Sequence, residues 1–193
     1  MNRGSRGVKG GLAMNIDKSA TTFIVLLLSG LFSSTQAHAQ QCSGKRIEFR
    51  LVACNSTECD AVRQKIWFIG DKVILYDDNP DTGLIFRVGR TTEYTDAEVP
   101  SLRETVRAVP SLARARLAAS ATFESNMLRL RQEHVYFTRS GEVNGNTYAV
   151  NEIEVLNCRT CRVMDFEIRS QTAQKVSVYR LRQSRSCEIT DAR

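Results

Sequence analysis

The chain holds little of what usually announces a reaction. Its 193 residues include 2 histidines, 1 tryptophan and 3 prolines. No P-loop, dinucleotide-binding glycine fingerprint, HExxH, GxSxG or complete EF-hand pattern occurs. Internal repeats, low-complexity tracts and Pro/Gly/Ser linkers are missing too, so nothing divides the chain after residue 39. Long apolar runs are also absent. The longest, Thr21 to Phe32 (TTFIVLLLSGLF), covers about a dozen residues, where a membrane-spanning helix needs ~20.

The flanks of that run give it another role. Arg3, Arg6, Lys9 and Lys18 lie upstream, and Ala37-His38-Ala39 supplies the small-x-small pattern that signal peptidase reads. Residues 1–39 are expected to be a signal peptide, with Met14 as good a start as Met1, and residues 40–193 a single domain beginning at Gln40. Cys42 stands two residues too late for a lipid anchor. The expectation is an exported protein, periplasmic or secreted, with no stable membrane insertion once the signal is removed.

Removing residues 1–39 leaves 23 basic and 20 acidic residues, a balance of +3 in place of +6. Nineteen of the 23 are arginine, and they alternate with acids instead of clustering. A nucleic-acid footprint needs a concentrated basic face, so nucleic acid is not expected as a partner.

Six cysteines in an exported chain point to disulfides, and fifteen pairings are formally possible. Spacing favours local closure of Cys54 with Cys59 and of Cys158 with Cys161, leaving Cys42 and Cys187 to tie the ends together. Two sharper readings compete. Cys158-x-x-Cys161 has the spacing of a redox dithiol, although it sits between strands and not at a helix N-terminus. Cys54, Cys59, Cys158 and Cys161 have tolerable spacing for zinc, but such thiolate sites belong mostly to reducing compartments. No metal and no cofactor is expected. The acidic stretch Asp77 to Gly83 reads as hairpin-loop chemistry, and Asn55-Ser56-Thr57 fits the N-glycosylation pattern.

Periodicity speaks for strands. Ile47, Phe49, Leu51 and Ala53 alternate with Arg46, Glu48, Arg50 and Val52, and Met164, Phe166 and Ile168 alternate with Asp165, Glu167 and Arg169. Gly70-Asp71 predicts a type II′ hairpin joining 65–69 to 72–76, and Asn144-Gly145 predicts another, joining Met127–Phe137 to Thr147–Leu156. Further strands are expected at Leu84–Arg90, Ala118–Phe123 and Lys175–Gln183. About nine sequential strands make an all-β, mainly antiparallel meander, barrel-like or a two-layer sandwich, with one short helix in a long connection. That helix is Ser101–Val109, inside the connection Thr91–Leu117, with Ser101 and Glu104 at capping-box spacing.

Two candidate sites follow. His134 is the one histidine left after signal removal, so a hydrolase would have to run through it. The Asn144-Gly145 register pairs His134 with Val155 and Tyr136 with Ile153. It sets Gln132, His134 and Tyr136 as polar groups on an inner, otherwise apolar face, where they could bind a small molecule. The Gly70 hairpin is apolar on both faces. Trp67, Ile69, Ile74 and Tyr76 share one face and Ile66, Phe68, Val73 and Leu75 the other; one of them must join the core, and the helix has too few apolar residues to cover the second. Trp67 and Tyr76 are therefore candidates for a partner surface. The leading expectation is a non-enzymatic ligand-binding or protein-interaction module of the cell envelope or exterior. The alternative is an envelope enzyme, either a thiol-disulfide oxidoreductase using Cys158 and Cys161 or a hydrolase using His134.

Overall fold

Alternation of apolar and polar residues carries through almost the whole chain, and the backbone answers with strands. The structure, a computed structural model, describes residues 37–172 and 174–192. Ten strands form one antiparallel sheet: β1 (Lys45–Cys54), β2 (Cys59–Ile69), β3 (Lys72–Tyr76), β4 (Leu84–Arg87), β5 (Thr91–Thr95), β6 (Leu112–Glu124), β7 (Met127–Thr138), β8 (Val143–Leu156), β9 (Thr160–Thr172) and β10 (Val176–Asp191). Their spatial order is β4-β3-β2-β1-β10-β9-β8-β7-β6-β5. Each strand thus pairs with its sequence neighbours, except that β4 and β5 stand at opposite ends of the sheet, and β10 returns to pair with β1.

The sheet curls until β4 meets β5 and β6, making a nearly closed barrel. At that seam the ladder gives way to single contacts. Val88 bridges Ala121, the Gly89 amide donates to the Ala121 carbonyl at 2.8 Å, and the Tyr94 hydroxyl donates to the Ile85 carbonyl at 2.6 Å. The short helix α1 (Pro100–Ala108) lies between β5 and β6, and a helical turn over residues 37–41 precedes β1. Of the expected signal peptide, residues 1–36 lie outside the described residues. Ala39 packs into the main core, and the His38 ring lies 5.7 Å from that of Phe123.

The Gly70 hairpin forms in the expected register, pairing Trp67 with Ile74 and Ile69 with Lys72. Gly70 takes φ +60°, and Asp71 does not, as a II′ turn requires. Its inner residues Ile66, Phe68 and Val73 are fully buried, and Leu75 is nearly so.

Several expectations are corrected. Asn144-Gly145 is no turn but part of β8; the chain reverses over residues 139–142, where Gly141 supplies φ +86°. His134 consequently pairs with Thr147 and not Val155, and Tyr136 with Gly145 and not Ile153. The displacement is an even number of residues, so the same side chains still face inward. β5 falls inside what reads as a long connection, and β6 begins at Leu112, because a polar Thr91–Thr95 and the alanines of Leu112–Leu117 give weak apolar signals. A bulge between Ile153 and Glu152 on β8 and Val163 and Asp165 on β9 skips Met164, which is turned out and 44 % exposed.

The helix spans Pro100–Ala108, and its N-cap is Val99 with no side-chain hydrogen bond, so the Ser101–Glu104 capping box does not form. Pro100 occupies the first turn and places Ser101 inside the helix. The approach is held from upstream: Glu98 Oε2 accepts from the Thr95 amide and hydroxyl at 2.8 and 2.9 Å, and Arg103 donates to the carbonyls of Asp96 and Ala97. Nor does the helix cover the Gly70 hairpin. Leu102 packs on Ala115 and Leu117 of β6, at the upper end of the barrel.

The disulfides are Cys42–Cys158, Cys54–Cys59 and Cys161–Cys187. Only the Cys54–Cys59 closure matches the spacing argument. Cys158 and Cys161 go to different partners because Cys158 sits in the β8–β9 turn beside the incoming residue 42, while Cys161 stands on β9 opposite β10. The three bridges span 116, 5 and 26 residues of sequence. In the chain-entropy model these closures are worth about 5, 2 and 3.5 kcal/mol respectively. Replacing Cys42 and Cys158 together by serine should lower the melting temperature most, and replacing Cys54 and Cys59 least. Thermal denaturation of the three double variants checks the order.

Candidate functional site

The ladders stack the inward side chains of β6–β10 into transverse rows, and the rows change character with height. Lowest is Phe123, Leu128, Ile153 and Val163; above it come Ala121, Leu130, Asn151 and Phe166. All eight are at most 3 % exposed. The third row is Ala119, Gln132, Ala149, Ile168 and Tyr179, the fourth Leu117, His134, Thr147, Ser170 and Ser177, the fifth Ala115, Tyr136, Gly145 and Thr172. In these three rows the residues of β7–β10 face the interior yet none of them is fully buried.

An inward-facing residue that water reaches means the barrel is open there. The lower half is a dry core, continued by Ile47, Phe49, Ile66, Phe68 and Phe86 and capped by Cys42. The upper half is a cup. On the β5–β6 side it is filled by α1, whose Leu102 keeps Ala115 and Leu117 buried. The space left between the helix and β7–β9 is a cavity of about 180 Å³ touched by Thr105, Val109, Tyr136, Gly145, Thr147 and Ser170.

Gln132, His134 and Tyr136, two residues apart on one strand, form a connected polar row inside this cup. The contact between His134 Nε2 and Gln132 Oε1 is 3.2 Å, and that between the Tyr136 hydroxyl and His134 Nδ1 is 3.5 Å. An amide oxygen only accepts, so Nε2 carries the proton and donates; Nδ1 of the neutral ring then accepts from the phenol. Burial holds the His134 imidazole below its usual pKa and the Tyr136 phenol above its own. Across the ladder, the Thr147 hydroxyl donates to Ser170 Oγ at 3.3 Å. On the rim, the Tyr179 hydroxyl donates to Glu58 Oε2 at 3.0 Å, which raises the phenol pKa.

Two carbonyl oxygens of side-chain amides are buried without a hydrogen-bond partner. One is Oδ1 of Asn151, 3 % exposed, in the row directly beneath the cup. The other is Oε1 of Gln64, whose pairing with Phe49 faces it into the same interior. Sequence reading missed both. Asn151 was detectable as the one polar residue in the run of alternating inward positions Asn151, Ile153 and Val155, but only the true register shows it under the cup.

The arrangement bears on the enzymatic alternatives. Cys158 and Cys161 do not bond to each other, so they do not form the dithiol pair of an oxidoreductase. The partners of His134 are an amide and a phenol, neither the carboxylate that orients a catalytic imidazole nor a nucleophilic hydroxyl or thiol. Among the described residues no three His, Cys, Asp or Glu side chains come together as a metal site. In the acidic loop, Asn79 Oδ1 accepts from the Asp81 amide at 2.9 Å and starts a 3-10 turn over Pro80–Thr82.

Trp67 and Tyr76 lie elsewhere, on the outer face of the Gly70 hairpin. Tyr76 is only 6 % exposed. The loop end at Gly83 presses on this face so closely that a Cβ there would come within 2.6 Å of Ile74 and 2.9 Å of Tyr76. Trp67 is half-buried beneath the Arg46 guanidinium, 5.1 Å from the ring centroid. The exposed apolar side chains of this face are Ile69 and Ile85.

The depressed His134 pKa makes stability depend on pH with a definite sign. The unfolded chain takes up the proton at the ordinary value near 6.5, before the folded protein does. Folding stability from this group is therefore complete above that value and is lost as pH falls through the lower, folded pKa. Replacing His134 by glutamine should flatten the loss of stability on the acid side of pH ~6.5, above the range where carboxylates titrate. Urea melts of both proteins at stepped pH measure it.

No protein-family model, no curated protein and no solved structure matches this chain.

Proposed function

We propose that the protein is exported to the cell envelope or exterior and binds a small molecule, without turning it over, in the open upper half of its barrel. The export part rests on the leader pattern of residues 1–39 and on three intramolecular disulfides, which persist in oxidising compartments. Among the described residues no helix is long and apolar enough to cross a membrane. The outward positions of the long strands carry ion pairs such as Arg129–Glu152 and Glu167–Arg180, a face made for water. Sequencing the protein from the extracytoplasmic fraction is expected to read Gln40 first; a chain keeping residues 21–32 in the membrane overturns the export reading.

One observation carries the binding part: Ala149 faces the barrel interior and is nevertheless only partly buried, whereas Ala121, in the next row down on the same inner surface, is 1 % exposed. Space above Ala149 should accept a larger side chain. Phenylalanine at 149 should change stability by less than about 1 kcal/mol and abolish uptake of a neutral dye such as Nile red. Phenylalanine at 121 should cost about 1–3 kcal/mol by overpacking. Equal costs at the two positions, measured by chemical denaturation, would mean that the upper barrel is as tightly packed as the lower.

A further inference from the structure

A second hollow lies in the barrel wall and shares no lining residue with the cavity in the cup. It measures about 420 Å³, opens between β9 and β10, and is lined by Arg162, Val163, Met164, Leu181, Arg182, Gln183 and Ser184. The ladder between the two strands stops at Glu167–Arg180, so the wall is parted here. Bulges aim two side chains at the gap. Val52 pairs with Gln183 and Ala53 with Leu181, which leaves Arg182 as an extra residue of β10; the pairs at Val163 and Asp165 leave Met164 as the extra residue of β9. A bulge takes its extra side chain out of the regular alternation, and both of these reach the hollow.

The lining is one-sided in charge. It holds two guanidinium groups, one amide and one hydroxyl, and no carboxylate. Elsewhere on the barrel's outer face arginines stand against acids, as in Arg63–Glu48, Arg116–Glu93, Arg129–Glu152 and Arg180–Glu167. Among the described residues Arg162 and Arg182 have no such partner. Glu154 stands opposite Arg162 in the ladder without reaching it, and Asp165 is engaged by its own chain, its Oδ1 accepting from the Phe166 amide at 2.8 Å. The rest of the lining is apolar: Val163 is 3 % exposed, Leu181 packs on the main core, and Met164 lies open to water. Charges beside such a wall are screened less than charges standing free in solvent.

We propose that this hollow binds a small amphiphilic carboxylate, its head on Arg162 and Arg182 and its hydrocarbon part against Val163, Met164 and Leu181. A guanidinium presents planar, paired N–H donors that match the two oxygens of a carboxylate. The Gln183 amide and the Ser184 hydroxyl add uncharged donors along the same border. A neutral molecule of the same shape gains the apolar contact without the charge, and an amine meets two like charges. The site stands apart from the cup and does not depend on it.

The test uses octanoate, 1-octanol and octylamine, equal in chain length and different in charge, added to the disulfide-bonded protein at low salt and followed by amide NMR shifts. Octanoate should move the resonances of residues 162–166 and 181–184, octanol should do so more weakly, and octylamine should not. Replacing Arg162 or Arg182 by glutamine should weaken octanoate binding about threefold to fivefold each, the worth of one exposed charge pair. The melting temperature should stay unchanged, because neither arginine gives up an ion pair within the protein. Arg131→Gln, the same loss of charge on the exposed face of β7, should leave binding as it is. Octanol or octylamine binding as tightly as octanoate overturns the proposal. Equal weakening by Arg131→Gln reveals diffuse attraction to a basic protein and overturns it too. Octanoate shifts confined to residues 134–136 and 145–147 put the ligand in the cup, which removes the wall site and leaves the cup standing; no shift at 162–166 or 181–184 removes the wall site alone.

Discussion

The pairing of the first strand with the last is the constraint on which the barrel depends. β1 and β10 run antiparallel from Lys45 opposite Asp191 to Cys54 opposite Arg180, with bulges near Arg50 and Val52. Without that ladder the ten strands are an open meander with two long edges, and the inner faces of both strands lose their cover. With it, the remaining opening is confined to the β4–β5 side, where the strands are only four and five residues long. Helix α1 sits beside this low wall, its Leu102 against Leu117, Leu84 and Tyr94. The helix is therefore a consequence of the short strands: where the sheet cannot reach, another element must bury the apolar residues.

Dividing the interior into a dry half and a wet half separates stability from function. The four largest fully buried side chains, Phe49, Phe68, Phe86 and Phe123, all belong to the main core. Aromatic burial of that size supplies most of the apolar driving force. The upper rows trade such residues for Ala149, Gly145, Thr147 and Ser170, which pack little. A fold held from one end tolerates an under-filled other end.

How much of this the sequence discloses depends on which physical rule sets each feature. Alternation has period two, so it shows which side of a strand is buried even when the partner is misjudged. Gln132, His134 and Tyr136 keep their common inner face although the turn lies at 139–142 and not at Asn144-Gly145. Register itself is not local: residue pairs Asn-Gly and Ser-Gly both offer turns, and the choice between them is made by β9, against whose Gln171 carbonyl Gly145 packs too closely for a Cβ. The polar strand β5 was illegible for a related reason, since Thr91–Thr95 gains its place from β6 and not from its own composition. Pairing of cysteines is harder still. Cys158 and Cys161 are three residues apart, yet the turn between β8 and β9 puts Cys158 at the barrel floor and Cys161 on the wall, facing different neighbours.

Two of the three bridges stand where the backbone ladder does not; Cys54–Cys59 closes the end of the β1–β2 ladder. β9 and β10 exchange ladder pairs only from Gln171–Val176 to Glu167–Arg180. Below that the strands part around a hollow of about 420 Å³ bordered by Val163, Met164, Leu181 and Gln183. Cys161–Cys187 closes the lower end of this split and keeps both strands in the wall. Cys42–Cys158 does the same for the residues before β1, which belong to no strand and would otherwise be held by a few backbone bonds. Bulges make the split unavoidable: β10 carries two of them toward β1, and the bulge at Met164 shifts β9 the other way, so the two strands cannot keep one register along their full length. A covalent link tolerates that mismatch, because it needs one pair of side chains to meet and not a run of aligned amides.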